Sequence, residues 1–240
     1  MKRPGLTRDR IVTAALELAD EEGLDAVTLR RLAAELGVHV TSLYNHVATK
    51  DVVLDGVMER LVAEAKLPTS AIAWEDWVRR FAASMRGVAK RHPGAFAVFH
   101  TRPVQGPEAA ASAEAALAAF CAGGFDIGEA YSAVKAATNA VLGLVLEERA
   151  HLRTPGLRTD VSALSRDAFP HLHAANAIAE KTDTWSYLIE ALIAGFAATR
   201  GSMLRRRRSA TSSSRPRRVA PTSEPRASAP RAATTRSSRR

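Results

Sequence analysis

The chain has 240 residues, of which 46% are hydrophobic and 5% aromatic, enough for one or two domains with a buried core. Its formal net charge of +9 is unevenly distributed: residues 1–200 hold 22 Lys and Arg against 24 Asp and Glu, whereas residues 201–240 hold 12 Arg against one Glu. A single cysteine excludes an internal disulfide. The chain shows neither an apolar run of membrane-spanning length nor the apolar core of a secretion signal, which favours a cytoplasmic protein that does not enter a membrane.

Alanine and leucine dominate the apolar residues, and the alternating pattern of strands is scarce, so the sequence predicts an all-α fold. The first 66 residues contain four predicted helices, each bounded by residues that commonly cap helices. These helices are expected from Thr7 to Gly23, from Thr28 to about Leu36, over about 39–46, and from Thr49 to Glu64 or Ala65.

Helical periods continue after residue 66. We expect a helix from Trp74 to the breaker His92-Pro93-Gly94, and an alanine-rich helix over 107–122 in which Cys121 packs as a small apolar residue. Asp126 and Glu129 have the spacing of a capping box, which predicts the start of a long helix that reaches about 149. Residues 152–181 predict a loop with a short helix, and a last helix starts at 182–184. Residues 205–240 hold no aromatic residue, Ile or Leu, so we expect a disordered basic tail.

The helical pattern is interrupted at Gly37, within the stretch TLRRLAAELGVHVTSLYNHVATKDVVLDGV, residues 28–57. Two helices joined by a tight turn that contains glycine are typical of a helix-turn-helix. The apolar residues of the second helix face the core, and its polar residues face outward. A helix presented in this way fits the major groove of B-DNA.

This stretch resembles the DNA-binding domain of the tetracycline repressor (TetR) family over residues 6 to about 60. The shared residues are Thr28, Leu32-Ala33, Leu36-Gly37-Val38, Leu43-Tyr44, His46-Val47 and Lys50. The resemblance implies a homodimeric transcriptional regulator, usually a repressor and not an enzyme, that binds a palindromic operator in double-stranded DNA. It also implies a DNA-binding domain over residues 1–66 and a larger helical domain for ligand binding and dimerisation over 67–204.

The same resemblance assigns DNA contacts to individual residues. Bases would be read mainly by Arg30, Thr41, Ser42 and Asn45, whereas Val40 offers only an apolar contact, for instance to a thymine methyl group. Phosphates would be held by Thr28, Tyr44, His46 and Lys50.

A weaker resemblance continues in HTRP (100–103), CAGGF (121–125) and LGLVLEERAH (142–151). It implies that helices over about 127–150 and 184–199 form a four-helix bundle with a second subunit. Small residues would let these helices approach closely, and the candidates are Ala137, Gly143, Ala191 and Gly195.

The positions that would hold magnesium and tetracycline in this family depart from the family pattern. Val98 cannot ligate a metal and Arg80 would repel a cation, so we expect neither a metal nor another cofactor, and a different effector. Large apolar side chains and one amide could line an apolar cavity, which predicts a largely apolar, polycyclic ligand. These candidates are Trp74, Trp77, Phe81, Met85, Phe96, Phe99, Asn139 and Trp185, together with Thr101 and Glu147, which the resemblance retains.

Two other functions stay open at this point. Glu147, Glu148 and His151 have the helical spacing of metal ligands in bundle enzymes, although such sites need two copies of the motif. The arginine-rich tail would bind DNA of any sequence by neutralising its phosphates. The second alternative is therefore a non-specific or architectural DNA-binding protein.

Overall fold

The computed structural model of the protein describes residues 5–103, 105–153 and 161–201, without the side chains of residues 149–153 and 180. Its regular secondary structure in these ranges is helical throughout, which confirms the all-α prediction. The α-helices are α1 (Arg8–Glu22), α2 (Leu29–Leu36), α3 (Val40–Tyr44), α4 (Lys50–Ala65), α5 (Trp74–Arg91), α6 (Val98–Thr101), α7 (Pro107–Ala122), α8 (Ile127–Arg153), α9 (Pro170–Ile178) and α10 (Thr184–Thr199). We call α1–α4 the head and α5–α10 the body. The tail predicted at 205–240 lies outside the described residues.

In the head, α1, α2 and α4 begin and end where the sequence predicts. The hydroxyls of Thr7, Thr28 and Thr49 each accept a hydrogen bond from the backbone N–H three residues later, at 3.1–3.3 Å. Such caps satisfy backbone donors that would otherwise lack a partner. Gly37 ends α2 at φ 65° and ψ 38°, a left-handed conformation that glycine adopts without strain. The chain therefore turns sharply between α2 and α3.

The core of the head holds α3 in place. Leu43 is fully buried, Val47 is nearly so, and both belong to one cluster with Ile11 of α1 and Val57 of α4. Because only one buried side chain comes from α3 itself, most of its surface stays free. The helix covers residues 40–44, which is shorter than the predicted span of about 39–46.

In the body, α5 packs against α7, α8 and α10. The predicted capping box at the start of α8 is confirmed, because Asp126 Oδ1 accepts from the backbone N–H groups of Gly128 and Glu129 while Glu129 Oε2 accepts from that of Asp126. The helix extends to Arg153, beyond the predicted end. The expected short helix in the following loop is α9.

Residues 92–95, which we call the junction, dock the body on the head. The imidazole of His92 lies between two carboxylates of the head, with Nδ1 2.8 Å from Asp20 Oδ2 and Nε2 2.8 Å from Glu64 Oε2. The other oxygen of Asp20 accepts from the backbone N–H groups of Gly94 and Ala95, at 2.9 Å each. A Cβ atom at position 94 would lie only 1.8 Å from the carbonyl oxygen of Ala19, so this contact admits glycine alone.

Two predictions about small residues are wrong. Cys121 is exposed, and Ala137 is fully buried inside the protomer instead of lying on an outer face. Both errors have one cause: where small apolar residues lie on several faces of a helix, hydrophobicity hardly differs between the faces, so periodicity does not tell which face is buried.

The outer surface of α8 and α10 is unusually apolar. Tyr131 of α8 is 61% exposed and Tyr187 of α10 is 75% exposed. In α10 only Ile189 and Ile193 are buried, although most of its sequence is apolar. Among the described residues, the structure contains no helix that is both long and apolar enough to span a membrane.

Candidate DNA-binding surface and ligand cavity

The polar residues predicted to contact DNA lie on the outer side of α2 and α3, which pack against each other. Thr28, Arg30, Thr41, Tyr44, Asn45 and His46 are exposed, and Val40, Ser42 and Lys50 are half-buried. We call these nine residues the recognition surface. The short α3 and the two residues that follow it thus present hydroxyl, amide and imidazole groups to solvent, a set that can both donate and accept hydrogen bonds.

Two members of this surface also hold the head together. The Thr28 hydroxyl accepts the capping bond of α2 from Arg31, which leaves its own O–H free to donate outward. Lys50 Nζ donates to the carbonyl oxygen of Leu24 at 3.2 Å and so ties the start of α4 to the turn before α2. An ammonium group has three N–H donors, so further donors remain for an anion.

The two adjacent arginines of α2 differ in their surroundings. Arg31 Nη2 lies 2.8 Å from Glu22 and its Nη1 3.6 Å from Glu35. The hydrogen bond with Glu22 raises the pKa of Arg31 above its ordinary value. Arg30 is exposed, and the part of the chain that the structure describes offers it no carboxylate. Of the pair, Arg30 is therefore the cation available to an external partner.

A small cavity of about 140 Å³ lies where the body meets α4. Trp77 and Phe81 form one wall, with their rings stacked at 5.0 Å and 10°. None of the lining side chains is titratable, which favours a neutral, apolar occupant. The lining residues are Val62, Leu67, Trp77, Phe81, Met85, Phe99, Ala109, Ser112, Ala113, Val134, Thr138 and Leu142.

Of the ten residues predicted to bind a ligand, four line this cavity: Trp77, Phe81, Met85 and Phe99. Trp74 packs instead against Phe120 and Phe125, with ring centroids 5.2 and 5.3 Å away. Phe96 is fully buried beside Phe99. Thr101 and Asn139 are exposed, and Glu147 and Trp185 line a different cavity.

The cavity residues that sequence reasoning missed come largely from α7 and α8: Ala109, Ser112, Ala113, Val134, Thr138 and Leu142. Most of these side chains are small, and small residues look the same in a sequence whether they face a cavity, a neighbouring helix or solvent. The open space exists because they are small, so composition alone carries no signal for it.

The second cavity, of about 630 Å³, is more open and lies between α8, α9 and α10. At its edge the Arg86 guanidinium sits 4.5 Å above the Trp185 ring, and Arg86 Nε lies 2.8 Å from Glu148 Oε2. The ion pair lowers the pKa of Glu148 and raises that of Arg86. Glu148 is therefore bound by an arginine, and the described residues contain no group of three or more side chains arranged to hold a metal ion. The side chain of His151, the third residue of the metal hypothesis, lies outside them.

Arg102, just after α6, connects the wall of the small cavity with the head. Its Nη1 donates to Asp51 Oδ1 at 2.8 Å and its Nε to Asp55 Oδ1 at 2.6 Å, and both carboxylates belong to α4. These bonds raise the pKa of Arg102. Phe99 of α6 and Val62 of α4 both line the cavity, so the two helices are joined by an ion pair and by a shared cavity wall.

Comparison with known proteins gives matches over both head and body. The family model described as bacterial regulatory proteins, tetR family, matches residues 11–57, and the one described as tetracyclin repressor-like, C-terminal domain, matches residues 67–200. An HTH-type transcriptional regulator of Saccharopolyspora erythraea is 39% identical over 208 residues, which cover 83% of this chain and 88% of that protein. The class D tetracycline repressor of Escherichia coli is 31% identical over 198 residues, 80% of this chain and 89% of the repressor.

Solved structures agree with the sequence matches. The TetR family protein ActR of Streptomyces coelicolor, in complex with actinorhodin, aligns with a TM-score of 0.69 at 28% identity, covering 84% of this chain and 99% of that one. A possible TetR family transcriptional regulator from the same species aligns with a TM-score of 0.72 at 28% identity, covering 80% of this chain and 100% of that one.

The helix-turn-helix, the helical body and these matches point the same way. They disfavour both the metal-dependent enzyme around Glu147, Glu148 and His151 and the non-specific DNA-binding protein. The chain belongs to the TetR family of ligand-responsive, DNA-binding transcriptional regulators.

Proposed function

We propose that this protein is a homodimeric cytoplasmic repressor that binds a palindromic operator in double-stranded DNA and releases it when a small neutral molecule fills the 140 Å³ cavity. The observation that carries the proposal is the position of this cavity. Its wall is apolar and free of titratable groups, and it includes α4 and α6, the two helices that Arg102 joins. A molecule bound there acts directly on the element that supports the recognition surface.

For DNA recognition, we assign the roles by the exposure and chemistry of the recognition surface. Arg30, Thr41, Ser42 and Asn45 read base edges in the major groove, and Val40 contacts a thymine methyl group. Thr28, Tyr44, His46 and Lys50 hold phosphates and so fix the register of the protein on the duplex. The free guanidinium of Arg30, next to the paired one of Arg31, supports this division.

The outer face of α8 and α10 supports the proposed dimer. Added Cβ atoms at Gly143 and Gly195 would meet none of the described atoms of the protomer within 4 Å, so both glycines leave room for another helix. Packing these helices against their copies would cover Tyr131 and Tyr187, which are otherwise mostly exposed. A twofold dimer would place two α3 helices about 34–36 Å apart, the spacing of successive major grooves on one side of DNA.

The size of the cavity explains how binding is coupled to release. An engineered apolar cavity of about 150 Å³ holds one benzene ring, whereas pockets for drug-sized ligands are usually about 300–1,000 Å³. A polycyclic ligand therefore has to displace lining side chains, with Met85 the most adaptable of them. Pressure on Val62 and Phe99 then shifts α4 and α6. A coupling of about 1–3 kcal/mol lowers operator affinity by roughly 5- to 150-fold.

The effector we propose is not magnesium-bound tetracycline, although several relatives are tetracycline repressors. Val98 is fully buried without a ligating atom, and Arg80 is an exposed cation. The complex of the related protein ActR with actinorhodin supports an organic effector.

The test is selection of bound fragments from random duplex DNA with the purified protein, followed by affinity measurements on the selected site. We expect a palindromic site. Arg30→Ala should weaken binding by about 1–3 kcal/mol and relax the preference at one base pair in each half-site. Arg31→Ala is the matched control, because that guanidinium is already held by Glu22, and it should change the selected sequence little. Equal affinity for every duplex, or a selected site that depends on Arg31 and not on Arg30, would refute the assignment.

A further inference from the structure

One residue of the small cavity's lining, Trp77, carries a buried polar atom whose bonding is incomplete. Trp77 lines the cavity and is 2% exposed, and its indole Nε1–H is buried without a hydrogen-bond partner among the described residues. Burying a donor without an acceptor is energetically costly, so natural proteins seldom retain one. The donor belongs to a lining residue and the described residues offer it no acceptor, which points to an acceptor on a molecule bound in the cavity.

The two hydroxyls of the lining differ in what they offer an occupant, and only that of Ser112 can act as a second donor. The Thr138 hydroxyl donates to the carbonyl oxygen of Val134 at 2.8 Å, so it offers lone pairs and no free proton to an occupant. Ser112 of α7, 3% exposed, adds a hydroxyl that can rotate to donate. No Lys, Arg, His, Asp or Glu belongs to the lining, so a charged occupant would lack a counter-ion there.

The aromatic and apolar side chains of the lining indicate the shape and polarity of the remainder of the bound molecule. Trp77 and Phe81 are stacked nearly parallel, which leaves flat ring surfaces for contact with a flat molecule. Met85 and Leu142 supply adaptable apolar contacts around it.

We infer that the effector is a neutral, flat aromatic molecule that carries a carbonyl oxygen, and that Trp77 recognises this oxygen through its Nε1–H. The inference rests on the proposed function, since it names the chemical class of molecule for the same cavity. It makes Trp77 a specificity-determining residue, with Ser112 as an auxiliary donor.

A pair of matched probes tests the inference without knowledge of the natural effector. 1-Indanone and indane have the same fused-ring shape and differ in one carbonyl group. In nitrogen-15-labelled full-length protein, the three tryptophans of the sequence give three indole N–H resonances, and the one that disappears in Trp77→Phe identifies Trp77. We expect 1-indanone to move this resonance downfield as the hydrogen bond forms, and indane to leave it almost unchanged.

Affinities supply a second readout. The ratio of the dissociation constant of indane to that of 1-indanone should fall roughly 3- to 10-fold in Trp77→Phe, the value of one neutral hydrogen bond. Trp185→Phe is the matched control, because Trp185 lines the other cavity, and it should leave the ratio unchanged. An unmoved Trp77 resonance with saturating 1-indanone, or an equal ratio in wild type and Trp77→Phe, would overturn the inference.

Operator binding in the presence of the same probes separates this inference from the proposed function. If 1-indanone moves the Trp77 resonance while operator affinity stays constant, carbonyl recognition stands and ligand-induced release fails. If both probes reduce operator affinity equally and neither engages the indole N–H, release stands and carbonyl recognition fails.

Discussion

At Gly94 the backbone of the junction lies directly against the backbone of α1. An added Cβ would lie 1.8 Å from the Ala19 carbonyl oxygen and 2.7 Å from Asp20 Cα, and both are backbone atoms that cannot rotate away. The chain could accommodate a side chain here only by separating α1 from the junction. That separation would stretch the hydrogen bonds of Asp20 to residues 94 and 95.

Gly94→Ala should therefore destabilise the protein by about 1–3 kcal/mol, the usual range for overpacking. In a chain of this size that corresponds to a fall in Tm of roughly 2–12 °C. Thermal unfolding followed by circular dichroism measures the change in Tm.

Gly87→Ala is the control, because that glycine lies inside α5 and among the described atoms its Cβ would meet only Arg91 Nη1, at 3.5 Å. We expect the control to be stabilised by about 0.5–1 kcal/mol from helix propensity. Equal losses in the two variants would contradict the close approach.

At the residue level, the sequence predicts what depends on near neighbours. Thr7, Thr28, Thr49 and Asp126 were identifiable as caps because a cap bonds to backbone only two or three residues away. The need for glycine at position 94 was not identifiable, because the backbone that it approaches belongs to α1, more than seventy residues earlier in the chain. Among the described residues, Arg30 is likewise left without a carboxylate because Glu22 pairs with Arg31, and the sequence does not tell which of the two arginines Glu22 binds.

At the level of helices, the Arg102 contacts are the point where the cavity communicates with α4. The Arg102 side chain is 18% exposed and bonds two carboxylates of α4, whereas all the proposed DNA contacts except Lys50 lie outside this helix. Removing the Arg102 side chain should leave both binding events intact and break the link between them.

In Arg102→Ala we expect the operator affinity of the ligand-free protein to change less than threefold. The factor by which ligand lowers operator affinity should fall toward one. Fluorescence anisotropy with the selected operator and a probe that binds the cavity measures both quantities. Arg79→Ala is the matched control, since Arg79 makes a comparable pair with Glu190, between α5 and α10 of the body. A variant that no longer binds operator in the absence of ligand would show that Arg102 supports the head itself.

The helices also show where prediction from sequence stops. Strong amphipathic patterns placed α2 and α5 correctly, because a single buried face determines such a pattern, whereas α1 and α4 were placed by their caps. In α7 apolar residues surround the helix, so its buried face and its share of the cavity were not predictable. The four correctly predicted cavity residues are all large, and the missed ones are mostly small.

For the whole molecule, the open space over Gly195 gives a direct test of dimerisation. Because none of the residues that the structure describes comes within 4 Å of a Cβ at this position, a larger side chain should not disturb the protomer fold. In the proposed dimer the same side chain would meet the partner helix.

Gly195→Leu should therefore shift the protein from dimer to monomer and reduce operator affinity at least tenfold, because a monomer engages one half-site only. Sedimentation velocity and anisotropy measure the two effects, and circular dichroism confirms that the helices persist. Glu114→Leu, an exposed position on α7, is the control and should remain dimeric. If Gly195→Leu stays dimeric, the partner binds to a different face.

The body holds α4 near both of its ends: Arg102 bonds Asp51 and Asp55 near the first, and His92 contacts Glu64 near the second. Asp51 and Glu64 are thirteen residues apart, about 20 Å along a helix axis. If the His92 end stays fixed as a pivot, a displacement of about 1 Å at the Arg102 end tilts the helix by roughly 3°. The turn after α3 joins the end of α4 that moves. A displacement of about 1 Å around a bound molecule is therefore converted into a change in the angle of α3, the helix proposed to enter the major groove.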